Sequence, residues 1–195
     1  MIPVLYQDKM KDPINTITTE NIVATSSVER ELDLKELNKD LPQAEFNPSY
    51  FSGLIYRFQK HEPVCLIFTS GKVVCTGASN LSEVNNAIEL IFDRIKKLNI
   101  SIAESPDVTI NNIVSSANLK KELNLNTVAV GLGIENVEYE PEQFPGLVYR
   151  LNNSNVVILL FSTGKIVITG GKEYSEIIKG VENIKQKLLS LNIIN

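Results

Sequence analysis

The sequence predicts an α+β fold made of two direct repeats, each an antiparallel sheet covered on one face by a long helix. Three observations carry that expectation. Segments 51–78 (FSGLIYRFQKHEPVCLIFTSGKVVCTGA) and 144–171 (FPGLVYRLNNSNVVILLFSTGKIVITGG) align without gaps at an offset of 93 and agree at 13 of 28 positions. The identity alternates. Val64, Leu66 and Phe68 return as Val157, Leu159 and Phe161, whereas Cys65 and Ile67 return only in character, as Ile158 and Leu160. Side chains alternate across a strand, so one sheet face recurs residue for residue and the other only in hydrophobicity. Finally, both copies end in an apolar stripe at 4-3-4-3 spacing: Val84, Ile88, Ile91, Ile95 and Leu98, then Ile177, Val181, Ile184, Leu188 and Leu191. That spacing belongs to a helix with a single buried side.

In chain order, residues 1–17 read as a loosely held arm, 18–100 as the first repeat, 101–107 as a connection and 108–195 as the second repeat. The first repeat opens with a β-rich stretch at 21–28 (NIVATSSV), followed by a helical stretch near 32–41. Strands are expected at 53–59, 64–69 and 72–77, with Ser70-Gly71 as a compact hairpin turn in which glycine supplies φ > 0. The second repeat runs through a strand at 112–119, a helix within 123–132, strands at 146–151, 156–162 and 165–170, and the turn Thr163-Gly164.

Composition narrows the function. The chain has 195 residues, 43% hydrophobic and 22% charged, as in ordinary globular proteins, and is long enough to bury a core in one domain or two small ones. No apolar run approaches the roughly 18–20 residues of a membrane span, and the opening MIPVLYQDKMKDP has no continuous apolar stretch of the signal-peptide kind. A net charge of −4 argues against a protein held to nucleic acid mainly by bulk positive charge, though not against binding by another route. Cys65 and Cys75, the only cysteines, form no zinc motif; buried small hydrophobes and a cross-strand disulfide are both open. No enzyme signature stands out. The single histidine, His61, has no Ser or Cys partner in sequence, S-G-K and T-G-K lack the rest of a phosphate loop, and Gly131-Leu132-Gly133 lacks the rest of a dinucleotide fingerprint. The expectation is a non-enzymatic protein without cofactor or metal.

The inventory leaves a surplus. The helices cover the varied face, while the repeated face would still show Val64, Leu66, Phe68, Val74 and their counterparts to water. An apolar surface of that size marks a binding site, unless a dimer buries it. Phe51 and Phe144 open a strand beside a sharp loop, and Phe68 and Phe161 end the neighbouring strand, so each pair converges at one end of its sheet. Asn21 and Asn112 each begin the first strand of a repeat and need hydrogen-bond partners there. With Thr76 and Thr169 they form a repeated set of polar groups in an apolar field. Arg57, Arg150, Lys72, Lys165 and Lys172 make a basic rim that suits phosphates better than bases.

N-I-V opening a repeat, then F-P-G-L-x-Y-R, L-x-F-x-x-G-K-x-V-x-T-G and a long helix, twice over, resembles the TATA-box-binding protein family across residues 20–192. The resemblance implies a pseudo-twofold saddle: a curved antiparallel sheet from the two repeats, with helices on the convex face and double-stranded DNA beneath. It casts Phe51, Phe68, Phe144 and Phe161 as wedges between base steps. Asn21, Asn112, Thr76 and Thr169 would meet the acceptors of A·T pairs, and Val23, Val114, Ile55, Val148, Leu66, Leu159, Val74 and Val167 would pack on the groove floor. Arg57, Arg150, Lys72, Lys165 and Lys172 would hold phosphates.

The resemblance further implies a general transcription initiation factor that bends a TATA element. It would recruit a B-type general transcription factor through Glu140 and Glu142, and through it the RNA polymerase machinery. The first copy departs from the second at Ser52, against Pro145, and at Ser79, against Lys172. Its loop Asn47-Pro48-Ser49-Tyr50 also lacks the acidic pair of the second. The short arm and Y-E-P-E-Q-F-P-G resemble archaeal rather than eukaryotic members, which implies cytoplasm and nucleoid rather than nucleus. A protein- or apolar-ligand-binding module on the same fold is the competing function; it needs neither paired Phe nor Asn/Thr donors.

Overall fold

Alternating burial along each strand decides which face becomes core. The computed structural model describes residues 12–58, 63–102 and 105–194, which divide into two units, 20–112 and 12–19 with 113–194. His61 lies outside the described residues, as do residues 1–11 of the expected arm. The first unit runs β1 (Thr18–Ser27), α1 (Leu34–Asp40), β2 (Ala44–Glu45), β3 (Leu54–Arg57), β4 (Val64–Ile67), β5 (Lys72–Ala78) and α2 (Leu81–Lys97). Its strands are antiparallel in the order β2-β3-β4-β5-β1. The second unit repeats the plan: β6 (Thr109–Asn118), α3 (Leu125–Leu132), β7 (Val137–Glu138), β8 (Leu147–Arg150), β9 (Val157–Leu160), β10 (Lys165–Gly171) and α4 (Tyr174–Ser190), in the order β6-β10-β9-β8-β7. The fold is α+β with two repeats, as expected.

In both units the varied strand face is the core. Cys65, Ile67, Val73 and Cys75 are fully buried, as are Ile158, Leu160, Ile166 and Ile168. The helix α2 packs on β4 and β5 through Val84, Ile88, Ile91 and Ile95, and α4 packs on β10 through Ile177, Val181, Ile184 and Leu188. Each helix is started by side chains. Asn80 accepts from the Glu83 N–H, and Glu173 and Glu176 form a capping box, so orphan donors at both N-termini are satisfied. Cys65 and Cys75 face each other directly across β4 and β5 as free thiols. Their mutual hydrogen bond, together with burial, pushes the Cys65 thiol up, so it stays protonated. Among the described residues no helix is long and apolar enough to cross a membrane.

Four expectations need correction. The first strands begin earlier than 21 and 112, at Thr18 and Thr109, so Asn21 and Asn112 sit inside strands rather than opening them. The two-residue strands β2 and β7 were not foreseen. They carry no periodic signal and exist through pairing with β3 and β8. Leu98 and Leu191, the last members of each apolar stripe, are C-caps beyond the helix ends, and Leu191 is 38% exposed.

The fourth concerns residues 12–17, which are fastened rather than loose. A 3-10 turn (Pro13–Thr16) is capped by Asp12, Pro13 is buried, and the Thr16 hydroxyl accepts the Asn118 N–H at 2.8 Å. Asp12 also pairs with Lys185 of α4 at 2.7 Å. Desolvation alone would raise the Asp12 pKa, but the Lys185 ammonium and the Ile14 N–H outweigh it and hold the carboxyl below the usual range. A depressed carboxyl stabilises the folded form above its unfolded pKa, and that contribution is lost as pH falls through the folded value. Hydrogen exchange at residues 14–17 is therefore expected to speed up below the ordinary carboxylate range relative to the rest of the unit. Asp12→Asn should remove that pH dependence; an unchanged profile would show that the pair fastens nothing.

Candidate nucleic-acid interface

The repeated face is the open one. Val23, Ile55, Val64, Leu66, Val74 and Thr76 in the first unit are half-buried, as are Val114, Val148, Val157, Leu159, Val167 and Thr169 in the second. Register aligns them into rows. Ile55 faces Leu66, Leu66 faces Val74, and Val74 faces Thr25. The second unit repeats the row as Val148, Leu159, Val167 and Ser116. Thr25 and Ser116 were missed in the sequence. The offset between β1 and β6 is 91 (21 to 112) rather than 93, so the gapless alignment does not extend to them.

Each phenylalanine pair converges as expected. Phe51 and Phe68 meet edge-to-face, with ring centroids 5.8 Å apart and planes at 67°. Phe144 and Phe161 do the same at 6.0 Å and 70°. Sharp turns deliver the first ring of each pair. The N–H groups of Tyr50 and Phe51 both donate to the Asn47 carbonyl, and those of Gln143 and Phe144 to the Glu140 carbonyl. Hairpins deliver the second. Phe68 N–H donates to Lys72 O at 2.9 Å, and Phe161 N–H to Lys165 O at 3.0 Å.

The glycines of the F-x-G motif hold both rings down. A Cβ on Gly53 would stand 2.8 Å from Phe51 Cε1, and one on Gly146 would stand 2.7 Å from Phe144 Cε1. The sequence reading missed them as site residues, although their recurrence beside each Phe was the available signal. Phe144 remains 39% exposed.

The polar set is joined in the first unit. Asn21 Oδ1 accepts the Gly77 N–H at 2.7 Å, and the Thr76 hydroxyl lies 3.3 Å from the same amide. Asn112 and Thr169 occupy the matching strands of the second repeat and are half-buried.

The basic residues are all exposed. Strand parity places Arg57 on the face of Ile55, Arg150 on that of Val148, Lys72 on that of Val74 and Lys165 on that of Val167. Arg150 is not free: its Nε and Nη2 lie 3.1 Å from Glu138 Oε1, a solvent-exposed pair of small stabilising value. Lys172 follows the end of β10, with its N–H donated to Glu176 at 2.7 Å. In the first copy the Ser79 N–H makes the same bond to Glu83. These N–H groups hold both carboxyls below their usual range. Glu140 and Glu142 are exposed in the turn before Phe144, and in the corresponding first-unit turn Tyr50 is 89% exposed.

Comparison with known proteins places this chain in a family. The family model of transcription factor TFIID, or TATA-binding protein (TBP), matches residues 16–98 and 107–191. The chain is 50% identical over 185 residues to TATA-box-binding protein 2 of Haloferax volcanii, covering 95% of this chain and 100% of that one. It is 48% identical over 186 residues to the TATA-box-binding protein of Natronomonas pharaonis, again covering 95% and 100%. The solved Methanococcus jannaschii TBP superposes with a TM-score of 0.82 at 40% identity, over 90% of this chain and 99% of that one. Two matched repeats, relatives at half identity over their whole length and a shared fold lead to one conclusion: the chain belongs to the archaeal TATA-box-binding proteins, a family of DNA-binding transcription initiation factors.

Proposed function

We propose that the open faces of the two repeats, 18–100 and 108–195, bind the minor groove of an A·T-rich TATA element and bend it. The observation that carries this reading is the recurrence, in both units, of an edge-to-face phenylalanine pair beside a half-exposed apolar strand face. Rings paired at the ends of the strands would enter a base step, and the apolar rows beside them would cover the groove floor. Unstacking costs a few kcal/mol per step, offset by apolar area removed from water along a widened groove. The A·T minor groove shows only acceptors, whereas G·C adds the guanine amino donor. Asn21, Thr76 and their counterparts supply donors to the first; Leu66, Val74, Leu159 and Val167 would strand the second without a partner.

Phosphates are held by Arg57, Lys72, Arg150, Lys165 and Lys172. The exposed carboxylates of Glu140 and Glu142, carried on the turn that delivers Phe144, recruit a B-type general transcription factor and, with it, RNA polymerase. Because the first turn carries no acidic pair, the two ends of the complex differ, which gives the promoter a direction.

The test is a short duplex labelled at both ends, with energy transfer read as bend angle. A TATA element should bind tightly and bend sharply, and central G·C pairs should weaken both. Binding without bend or sequence preference would overturn the mechanism and favour a protein ligand for the same face.

A further inference from the structure

The β1–β5 pairing slips by a residue where the open face crosses it. Ile22 faces Ala78 but Ala24 faces Cys75, so two steps along β1 are matched by three along β5. The extra residue makes a β-bulge at Thr76-Gly77. Gly77 takes a φ of +92°, and its N–H donates to the side chain of Asn21 at 2.7 Å instead of completing the ladder.

An asparagine amide has an acceptor end and a donor end, and a flip exchanges them. The Gly77 N–H removes that freedom. In the flipped state two donors would face each other at hydrogen-bond distance with no acceptor between them. Oδ1 is therefore turned inward and Nδ2 outward.

The remaining hydrogens can be followed. The Thr76 hydroxyl lies 3.3 Å from both Nδ2 and Oδ1 of Asn21. If Nδ2 donates to Thr76, one amide hydrogen and the hydroxyl hydrogen are left over. If Thr76 donates to Oδ1, both amide hydrogens are left over. Either way the pair offers two donor hydrogens and withholds the amide acceptor. An A·T pair offers two acceptors in the minor groove, adenine N3 and thymine O2.

We propose that Gly77 is a positioning residue whose backbone N–H locks the Asn21 amide with its nitrogen outward, so that Asn21 and Thr76 present two donors to an acceptor-lined groove. This rests on the minor-groove function proposed above, but the lock itself exists without DNA and is tested there first. In the isotope-labelled free chain, a scalar coupling across the hydrogen bond between the Gly77 nitrogen and the Asn21 side-chain carbonyl carbon is expected, with slow exchange of the Gly77 amide. Absence of the coupling, with the Asn21 amide hydrogens close to the Gly77 N–H, would overturn the lock.

The second arm is a cycle between protein and DNA. Adenines of the A·T-rich duplex are replaced singly by 3-deazaadenine, which lacks the N3 acceptor. Wild type is compared with Gly77→Ala and Asn21→Asp. A methyl at 77 has room, its nearest neighbour being Pro63 Cα at 3.6 Å, but it is strained at a φ of +92°, so the bulge relaxes without the site being filled. Asp keeps an acceptor for Gly77 and loses both amide hydrogens.

Wild type should lose about tenfold in affinity at one adenine position. In both variants that penalty should shrink toward nothing, and in Gly77→Ala, which changes no charge, the salt dependence set by phosphate contacts stays unchanged. A glycine of merely structural value would lower affinity for both duplexes alike and leave the deaza penalty intact, which overturns the lock as a reading device. A wild type indifferent to A·T content would instead overturn the groove-reading function, even with the coupling present in the free chain.

Discussion

Replacing Phe144 by alanine is expected to weaken binding to a TATA duplex by about 3 kcal/mol, on the order of a hundredfold in Kd, and to reduce the bend. The ring is 39% exposed in the free chain, so its removal costs little core and the fold should persist. What is lost is the proposed wedge. Phe161, 6.0 Å away, would have to fill the unstacked step alone, and the kink at that end becomes too costly to hold open. Phe51→Ala should do the same through its own partner, Phe68, 5.8 Å away. Gly146→Ala gives an internal comparison, because it keeps both rings while its methyl, 2.7 Å from Phe144 Cε1 and 3.0 Å from Phe161 Cε1, pushes them off their seat. Its effect on the bend should lie between wild type and Phe144→Ala. Unchanged bending in Phe144→Ala, measured by energy transfer across the duplex, would sink the wedge mechanism.

Gly164→Ala is expected to destabilise the protein by about 3 kcal/mol, seen as a fall of about 10 °C in Tm. Gly164 sits in the hairpin turn with a φ of +81°, where an L side chain is strained. The added methyl would also land on the Lys121 carbonyl oxygen. That oxygen cannot retreat, because two bonds staple the segment to the hairpin: Leu119 N–H to Gly164 O at 2.9 Å and Leu123 N–H to Ser162 O at 2.8 Å. The turn also sets Phe161, whose carbonyl accepts the Gly164 N–H at 2.9 Å, so duplex affinity should fall with stability. A Tm within a degree or two of wild type would show that the staples yield more easily than their geometry implies.

Both predictions begin with residues whose recurrence was visible before any fold was known, yet the reasons for their effects were not. Phe144 and Phe161 stand out because they recur with Phe51 and Phe68 at a fixed offset. The glycines that seat those rings recur equally well, but recurrence does not say whether a glycine frees a turn or leaves room for a ring. Only the position of Phe144 Cε1 over Gly146 separates the two. Similarly, Asn21 was legible as a polar group needing a partner. Its position inside a strand and the Gly77 N–H as that partner depend on a slip in pairing with a strand more than fifty residues away. Arg150 was legible as a cation, but its contact with Glu138 depends on β7 pairing with β8, and β7 is only two residues long.

By itself, then, the sequence determined the class, the repeats and the faces. Periods of 2 and 3.6 are local properties of the chain, and a face that recurs residue for residue declares itself without coordinates. Tertiary structure alone decided where strands and helices end, which short segments pair at the sheet edges, and which way each polar group points. Those outcomes follow from bulges, caps and contacts between distant residues. No window of sequence contains both partners of such a contact, so no local pattern can report its geometry.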